Sequence, residues 1–194
     1  MSSQQIWLVR HGETEWSLSG QHTGRTDLPL TREGEKRAEA LRRFLGGRVF
    51  TRVFTSPLKR AFETCRLAGY GEVAQINEDL LEWDYGIYEG RTTAEIRETS
   101  PAWNIWSSDV PKGESVEEVG IRARRVIQEL VKSKGDVALF GHGHMLRILA
   151  ACWLELPPSE GRRFHLGTAA VSVLGFERET RVVERWNQDT YQSG

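Results

Sequence analysis

Ile6-Trp7-Leu8-Val9-Arg10-His11-Gly12 sets a short apolar run directly against a loop that carries a cation and an imidazole. Ile6 to Val9 reads as a buried strand with that loop at its carboxyl end. The pattern recurs twice. Arg52 to Thr55 is a second short strand, and Ser56-Pro57 then opens a helix, with Pro57 suited to its first position. Asp136 to Phe140 is a third strand, followed by Gly141-His142-Gly143. Three strand ends therefore carry histidine, arginine or both: Arg10-His11, Ser56 to Arg60, and His142. In open α/β sheets, ligands sit at such ends.

The stretches between these strands are helical. From Thr31 to Leu45, Ala38, Leu41, Phe44 and Leu45 recur at helical spacing; Thr31 caps, Glu33 and Glu35 suit the first turn, and Gly46-Gly47 stops the helix. Ser115-Val116-Glu117-Glu118 fits a capping box and starts a helix to about Lys132. Met145 to Leu154 is apolar enough for a packed helix. Val171 to Phe176 and Arg181 to Trp186 read as two strands joined by a turn near Glu179-Thr180. Strand and helix alternate, with a late hairpin. The expected fold is a three-layer α/β/α sandwich with a mostly parallel sheet and one antiparallel strand. The segment 82–113 differs, being rich in glycine, aromatics and charge, with helix from about Thr93. It is expected to be an excursion over the site within a single domain spanning 1–194.

Composition narrows the function. Of 194 residues, 39% are hydrophobic and 27% charged, as in an ordinary globular protein, and the formal net charge is −1. No overall positive field would attract nucleic acid or an anionic membrane, so neither is an expected partner. An anion site must be a local cluster of positive groups. Cys65 and Cys152 are too few for a disulfide framework and read as buried thiols. Met1 to Gln5 is short and polar, with no long apolar run behind it; neither signal peptide nor membrane span is expected, and the cytoplasm is the default.

Leu8-Val9-Arg10-His11-Gly12-Glu13-Thr14 resembles the signature of the histidine phosphatase superfamily, also called the phosphoglycerate mutase-like family. Further blocks follow in the family's order: Thr23-Gly24-Arg25 with Leu28-Pro29-Leu30-Thr31, then Thr55-Ser56-Pro57-Leu58-Lys59-Arg60-Ala61, then Glu82-Trp83-Asp84-Tyr85-Gly86 with Glu89-Gly90, then Gly141-His142-Gly143. The resemblance implies a phosphatase that acts on small phosphate monoesters, such as sugar phosphates, through a phosphohistidine on His11. It assigns the proton donor to Glu82, and it picks Arg60 over Lys59. Dimers are common in the family, so a homodimer is a further expectation.

The chemistry suits these residues. A phosphoryl group in transfer spreads charge over three oxygens, so catalysis is largely positioning plus positive charge. Arg10 and Arg60 each offer a planar fork of donors, and His142 adds a cation or a donor. No metal and no other cofactor is then required. Imidazole is nucleophilic near neutral pH, and a carboxyl held protonated by nearby aromatics such as Tyr85 can protonate the leaving group. Asp84 is a second candidate acid. Ser17, Thr23, Gly24, Tyr85 and Gly143 complete the expected phosphate and substrate contacts.

Two departures from the family pattern matter. Ser17 stands where asparagine is common, and its hydroxyl has a shorter reach. The excursion lacks the paired arginines with which mutases grip a second acidic group; its basic residues are the scattered Arg91, Arg97 and Lys112. Hydrolysis is therefore expected over mutase-type isomerisation, and over a non-catalytic phospho-ligand module, which would need neither nucleophile nor acid. His142-Gly143-His144 places two histidines close together, but catalytic zinc usually needs three protein ligands. His144 reads as a site-edge or structural residue, and His22 and His165 as loop or surface histidines. Trp103 and Trp106 have a spacing compatible with one helical face, lining either core or entrance.

Overall fold

In the computed structural model, residues 4–191 are described, so Met1, Ser2 and Ser3 of the polar start lie outside. The elements are, in chain order, β1 (Ile6–Arg10), α1 (Glu15–Ser19), α2 (Arg32–Leu45), β2 (Arg52–Thr55), α3 (Lys59–Leu67), β3 (Ala74–Ile76), α4 (Thr93–Thr99), α5 (Val116–Leu130), β4 (Val137–Gly141), α6 (Gly143–Trp153), β5 (Val171–Glu177) and β6 (Thr180–Gln188). One six-stranded sheet runs in the order β3-β2-β4-β1-β5-β6. β3, β2, β4 and β1 are parallel, and β5 is antiparallel to both β1 and β6, so β5 alone runs against the rest.

Side chains alternate across a strand, so β1 splits its apolar run between two layers. Ile6 and Leu8 join one buried cluster, with Val119, Ala123 and Leu130 of α5 and Leu146, Leu149 and Trp153 of α6. Trp7 and Val9 join the other, with Leu41 and Leu45 of α2 and Cys65 of α3. Helices thus cover both faces, which is why the central strands read as unbroken apolar runs. The excursion adds Trp83, Tyr85, Tyr88, Ile96, Trp103 and Trp106 to the first cluster.

The expected helix caps are present. Thr31 Oγ1 accepts from Gly34 N at the start of α2, and Ser115 and Glu118 form the capping box of α5. Three details differ from expectation. α3 begins at Lys59, not at Pro57: Ser56 Oγ is engaged by His142 Nε2 at 2.8 Å, and Asp27 Oδ1 accepts from Lys59 N at 2.8 Å, capping the helix from a distant loop. Trp103 and Trp106 share no helix, since residues 100–113 form irregular turns. α1 and β3 escape the sequence reading because they are short, and β3 is largely exposed.

The loop after β1 lies against the first turn of α2. Thr31 N donates to Glu13 O at 2.9 Å, and a Cβ on Gly34 would stand 2.2 Å from that same oxygen. Neither backbone can yield without breaking the loop. Gly34→Ala should therefore cost about 1–3 kcal/mol, as overpacking typically does, read as a lowered midpoint in denaturant. The exposed control Glu39→Ala in the same helix should leave the midpoint unchanged or raise it. Equal stabilities for the two variants would refute this packing account.

Candidate active site

Because β2, β4 and β1 are adjacent and parallel, their carboxyl ends meet. Two hydrogen bonds carry the ladders past the strands: Ser56 N donates to Phe140 O at 3.0 Å, and His11 N to Gly141 O at 2.9 Å. His11 and His142 stand with ring centroids 5.3 Å apart. A cleft of about 200 Å³ opens above them, lined by seven of the expected residues: Arg10, His11, Ser17, Thr23, Glu82, Tyr85 and Gly143. A larger recess of about 540 Å³ elsewhere, bordered by Val131, Leu154, Glu155, Phe176 and Arg181, has no histidine in its lining.

The state of His11 follows from its contacts. Its Nδ1 lies 2.6 Å from Gly12 O. A carbonyl can only accept, so Nδ1 carries the proton and Nε2 presents a lone pair. Burial, with Arg60 and Arg10 nearby, pushes the imidazole well below the usual histidine value. His11 is thus a neutral imidazole held in one orientation at neutral pH, with its Nε2 lone pair available.

Arg60, His142 and Gly24 are buried beside the cleft and are not among its lining residues. Arg60 is gripped by carbonyls: Nη1 donates to Thr26 O at 2.8 Å, and Nη2 to Thr23 O at 3.1 Å and Gly24 O at 2.8 Å. Gly24 shapes that grip, since its N–H donates to Glu89 Oε1 at 2.9 Å. A Cβ there would meet Trp83 O at 2.5 Å. Burial, Arg60 and the other nearby cations hold His142 well below the usual value, which favours the neutral form of the two considered from sequence. Arg10 Nη1 donates to Leu166 O at 2.5 Å. Among the described residues, three buried nitrogens at the site, Arg10 Nε, Arg60 Nε and His142 Nδ1, lack hydrogen-bond partners, all on residues that surround His11.

Glu82 is held from the backbone. Its Oε1 accepts from Trp83 N and Met145 N, both at 2.9 Å, and its Oε2 from His144 N at 3.0 Å. The carboxyl therefore sits at the N-terminus of α6, an anchorage the sequence reading did not foresee. Asp84 is elsewhere: its Oδ1 accepts from Gly86 N at 2.9 Å, and it borders an outer recess with Arg25 and Lys112. Ser17 lines the cleft, but its Oγ is engaged with Thr14, donating to Thr14 O and accepting from Thr14 N at 2.9 Å. Thr23 Oγ1 donates to Gln21 O at 3.2 Å.

Of the other lining residues, Gln21 and Arg147 were passed over and His22 was read as a loop or surface group, whereas His144, read as a site-edge or structural residue, does border the cleft. His22 is no surface group; its ring packs 4.8 Å from Tyr85 and 5.4 Å from Trp103, and burial takes it down to about 4. His144 Nδ1 lies 2.5 Å from Tyr85 Oη, and burial holds its imidazole well below the usual value. Arg147 lies over Trp106 at 4.7 Å, with Nε donating to Gly161 O at 3.1 Å and Nη2 to Arg162 O at 3.2 Å. Arg147 lies three residues after His144 and four after Gly143 on α6, at the spacings that share one face of an α-helix. Trp103 and Trp106 form a second layer behind His22 and His144, not the cleft wall itself. Among the described residues no group of three His, Cys, Asp or Glu is arranged to hold a metal ion, and no helix is long and apolar enough to cross a membrane.

The family model of the histidine phosphatase superfamily (branch 1) matches residues 6–189, and the chain belongs to that superfamily. A Mycobacterium tuberculosis protein named acid phosphatase is 40% identical, over 92% of this chain and 90% of that protein. A Saccharomyces cerevisiae protein named sedoheptulose 1,7-bisphosphatase is 40% identical, over 77% of this chain and 67% of that protein. A Yersinia enterocolitica protein named probable phosphoglycerate mutase is 28% identical, over 94% of this chain and 89% of that protein. The solved structure of a Mycobacterium tuberculosis open reading frame superposes with a TM-score of 0.93 at 38% identity, covering 98% of this chain and all of that one. The more similar relatives are phosphatases, and the chain is a phosphoric monoester hydrolase acting on small phosphate compounds.

Two buried and two half-buried histidines give the fold a pH dependence of definite sign. His11, His22, His142 and His144 are held below the ordinary 6.5, mainly by burial. Unfolded, they take up protons below about pH 6.5, whereas the folded state resists until lower pH, about 4 for His22. The unfolded state then binds more protons, so stability is complete above that range and is lost as pH falls through it. Carboxylates with lowered values, such as Glu95 and Glu118, act only nearer their ordinary 4.5. Tm should fall between pH 7 and 5 and stay flat from 7 to 8; no fall before pH 5 would contradict this.

Proposed function

We propose that the chain hydrolyses small phosphate monoesters through a phosphohistidine on His11, with no metal ion. The observation that carries this reading is the gathering of unpartnered nitrogens on Arg10, Arg60 and His142 around a histidine whose Nε2 lone pair is free. Such donors suit the equatorial oxygens of a transferring phosphoryl group. The two guanidiniums supply fixed positive charge and His142 a neutral donor.

In the first half-reaction His11 Nε2 attacks phosphorus as the ester P–O bond breaks, and Glu82 gives its proton to the departing oxygen. In the second, Glu82 takes a proton from water, the resulting nucleophile attacks the phosphohistidine, and inorganic phosphate leaves with His11 restored. Gly143 permits Arg10 to lie close: a Cβ there would stand 3.3 Å from the guanidinium carbon. Thr23, Gly24 and Ser17 shape the loops that hold these groups, and Tyr85 with His144 walls the leaving-group side.

The cleft is small, and among the described residues its wall beyond the phosphate site adds one cation, Arg147, already bonded to two carbonyls. That supports small sugar phosphates or related metabolites as substrates, and water as the acceptor in preference to a second bound ester, as a mutase would need. The sugar bisphosphatase among the relatives points the same way. A cytoplasmic setting and a homodimer accompany this reading.

Two measurements test it. With labelled substrate and a chelator present, alkaline quenching should keep the phosphoryl group on His11 and acid quenching should lose it; label on a serine, or activity that returns only with added magnesium or zinc, would overturn the assignment. Glu82→Gln should slow phosphorylation by fructose 1,6-bisphosphate by roughly 10²–10⁴-fold and by 4-nitrophenyl phosphate far less, because an acidic phenol leaves without a proton. Equal losses would remove Glu82 from the acid role.

A further inference from the structure

Glu82 stands on a strip of irregular chain, residues 79–84, that belongs to no helix or strand apart from the end of one 3₁₀ turn. Its carboxyl reaches the α6 amides only if that strip is held at a fixed height. The holding groups are Arg122 and Glu114, neither of which lines the cleft.

Arg122 projects from α5 and is buried. Its Nε and Nη2 each donate to one oxygen of Glu114 at 2.8 Å, a bidentate fork. Nη1 donates to Asp79 O and Leu81 O, both at 2.8 Å, and Nη2 also reaches Glu82 O at 3.4 Å. All five N–H groups of the guanidinium are therefore engaged. Glu114 completes the frame. Its Oε2 accepts from Asp84 N at 3.0 Å, its carbonyl from Trp83 Nε1 at 2.7 Å, and its own N–H donates to Asp84 O at 3.0 Å. Residues 79, 81, 82, 83 and 84 are each bonded to one member of the pair. Glu114 Oε2 also accepts from Arg25 Nη2 at 3.3 Å, which ties in the loop that grips Arg60.

We propose that the Arg122–Glu114 pair is a positioning device that sets Glu82 for proton transfer. This rests on the reading of Glu82 as the acid. A buried fork that saturates one guanidinium with three carbonyls of the acid's own strip does more than tie two segments together; it fixes where the carboxyl projects. Lysine keeps the charge of Arg122 but not the fork, and glutamine at 114 keeps the shape but removes the charge that holds it.

The test compares kcat/KM for fructose 1,6-bisphosphate and 4-nitrophenyl phosphate in Arg122→Lys, Glu114→Gln and Glu82→Gln, and in Arg122→Lys combined with Glu82→Gln. A displaced catalytic group costs on the order of 10²-fold. The first two variants should lose about that on the sugar phosphate and far less on the aryl ester, with inhibition by vanadate unchanged in Arg122→Lys, whose partners include none of the phosphate-binding groups. In the Glu82→Gln background, Arg122→Lys should cost little more, since residues acting through one group are not additive. If Arg122→Lys does not fold, Glu114→Gln, nearly isosteric, carries the comparison alone and in the Glu82→Gln background. Losses equal on both substrates, or fully additive with Glu82→Gln, would overturn the proposal while leaving the acid role intact. A Glu82→Gln variant with no preference between the substrates would overturn the acid role and this proposal with it.

Discussion

The bonds from Ser56 N to Phe140 O and from His11 N to Gly141 O extend two parallel ladders by one step beyond their strands. That single step determines the site. Backbone hydrogen bonds in a sheet interior have no water to replace them, so leaving these unmade would cost the full desolvation of each group. The residues that turn away from the sheet at this point are consequently as fixed as the strands themselves. His11, Ser56 and His142 are the first residues beyond β1, β2 and β4, and the Ser56–His142 side-chain bond links two of those ends directly.

Burial then does the electrostatic work. In a medium of low dielectric, charge without a partner is expensive, and each site group answers in its own way. The histidines stay neutral. Arg60 remains a cation by surrounding itself with carbonyl dipoles from residues 23–26, and Arg147 by lying on an indole and reaching two carbonyls. Tyr85 is pushed well above the usual phenol value by burial and by Glu82 and Glu89, so it remains a neutral hydroxyl. The same low dielectric strengthens whatever attraction the cations offer to an anion that enters.

The sequence disclosed those parts of the site that are contiguous with a strand end. Arg10, His11 and His142 each follow an apolar run, and a strand is recognisable from four residues. Glu82 was legible only through the family resemblance, since its anchorage depends on α6 amides some sixty residues later in the chain. His22 was misjudged and Arg147 missed for a related reason. A histidine in a polar loop looks solvated until the aromatic excursion, which has no periodicity of its own, is seen to close over it. Arg147 sits in an apolar helix where one cation resembles a surface interruption. The α3 start shows the same limit: Pro57 is a sound local signal, and a distant carboxylate, Asp27, overrode it.

The loop at 23–26 holds Arg60 with its carbonyls, and Glu89 holds that loop by the N–H groups of Gly24 and Thr26. Apart from Gly24, whose missing side chain the packing requires, nothing in this grip reads a side chain of the loop. Thr23 and Thr26 can therefore change identity during descent without loosening Arg60, as long as the backbone keeps its path, whereas the Arg25 side chain also ties the loop to Glu114. A lineage can thus redraw one rim of the cleft, where Thr23 stands, while inheriting the anion-handling groups unaltered. A fold organised in this way is suited to divergence among esters that share only their phosphate.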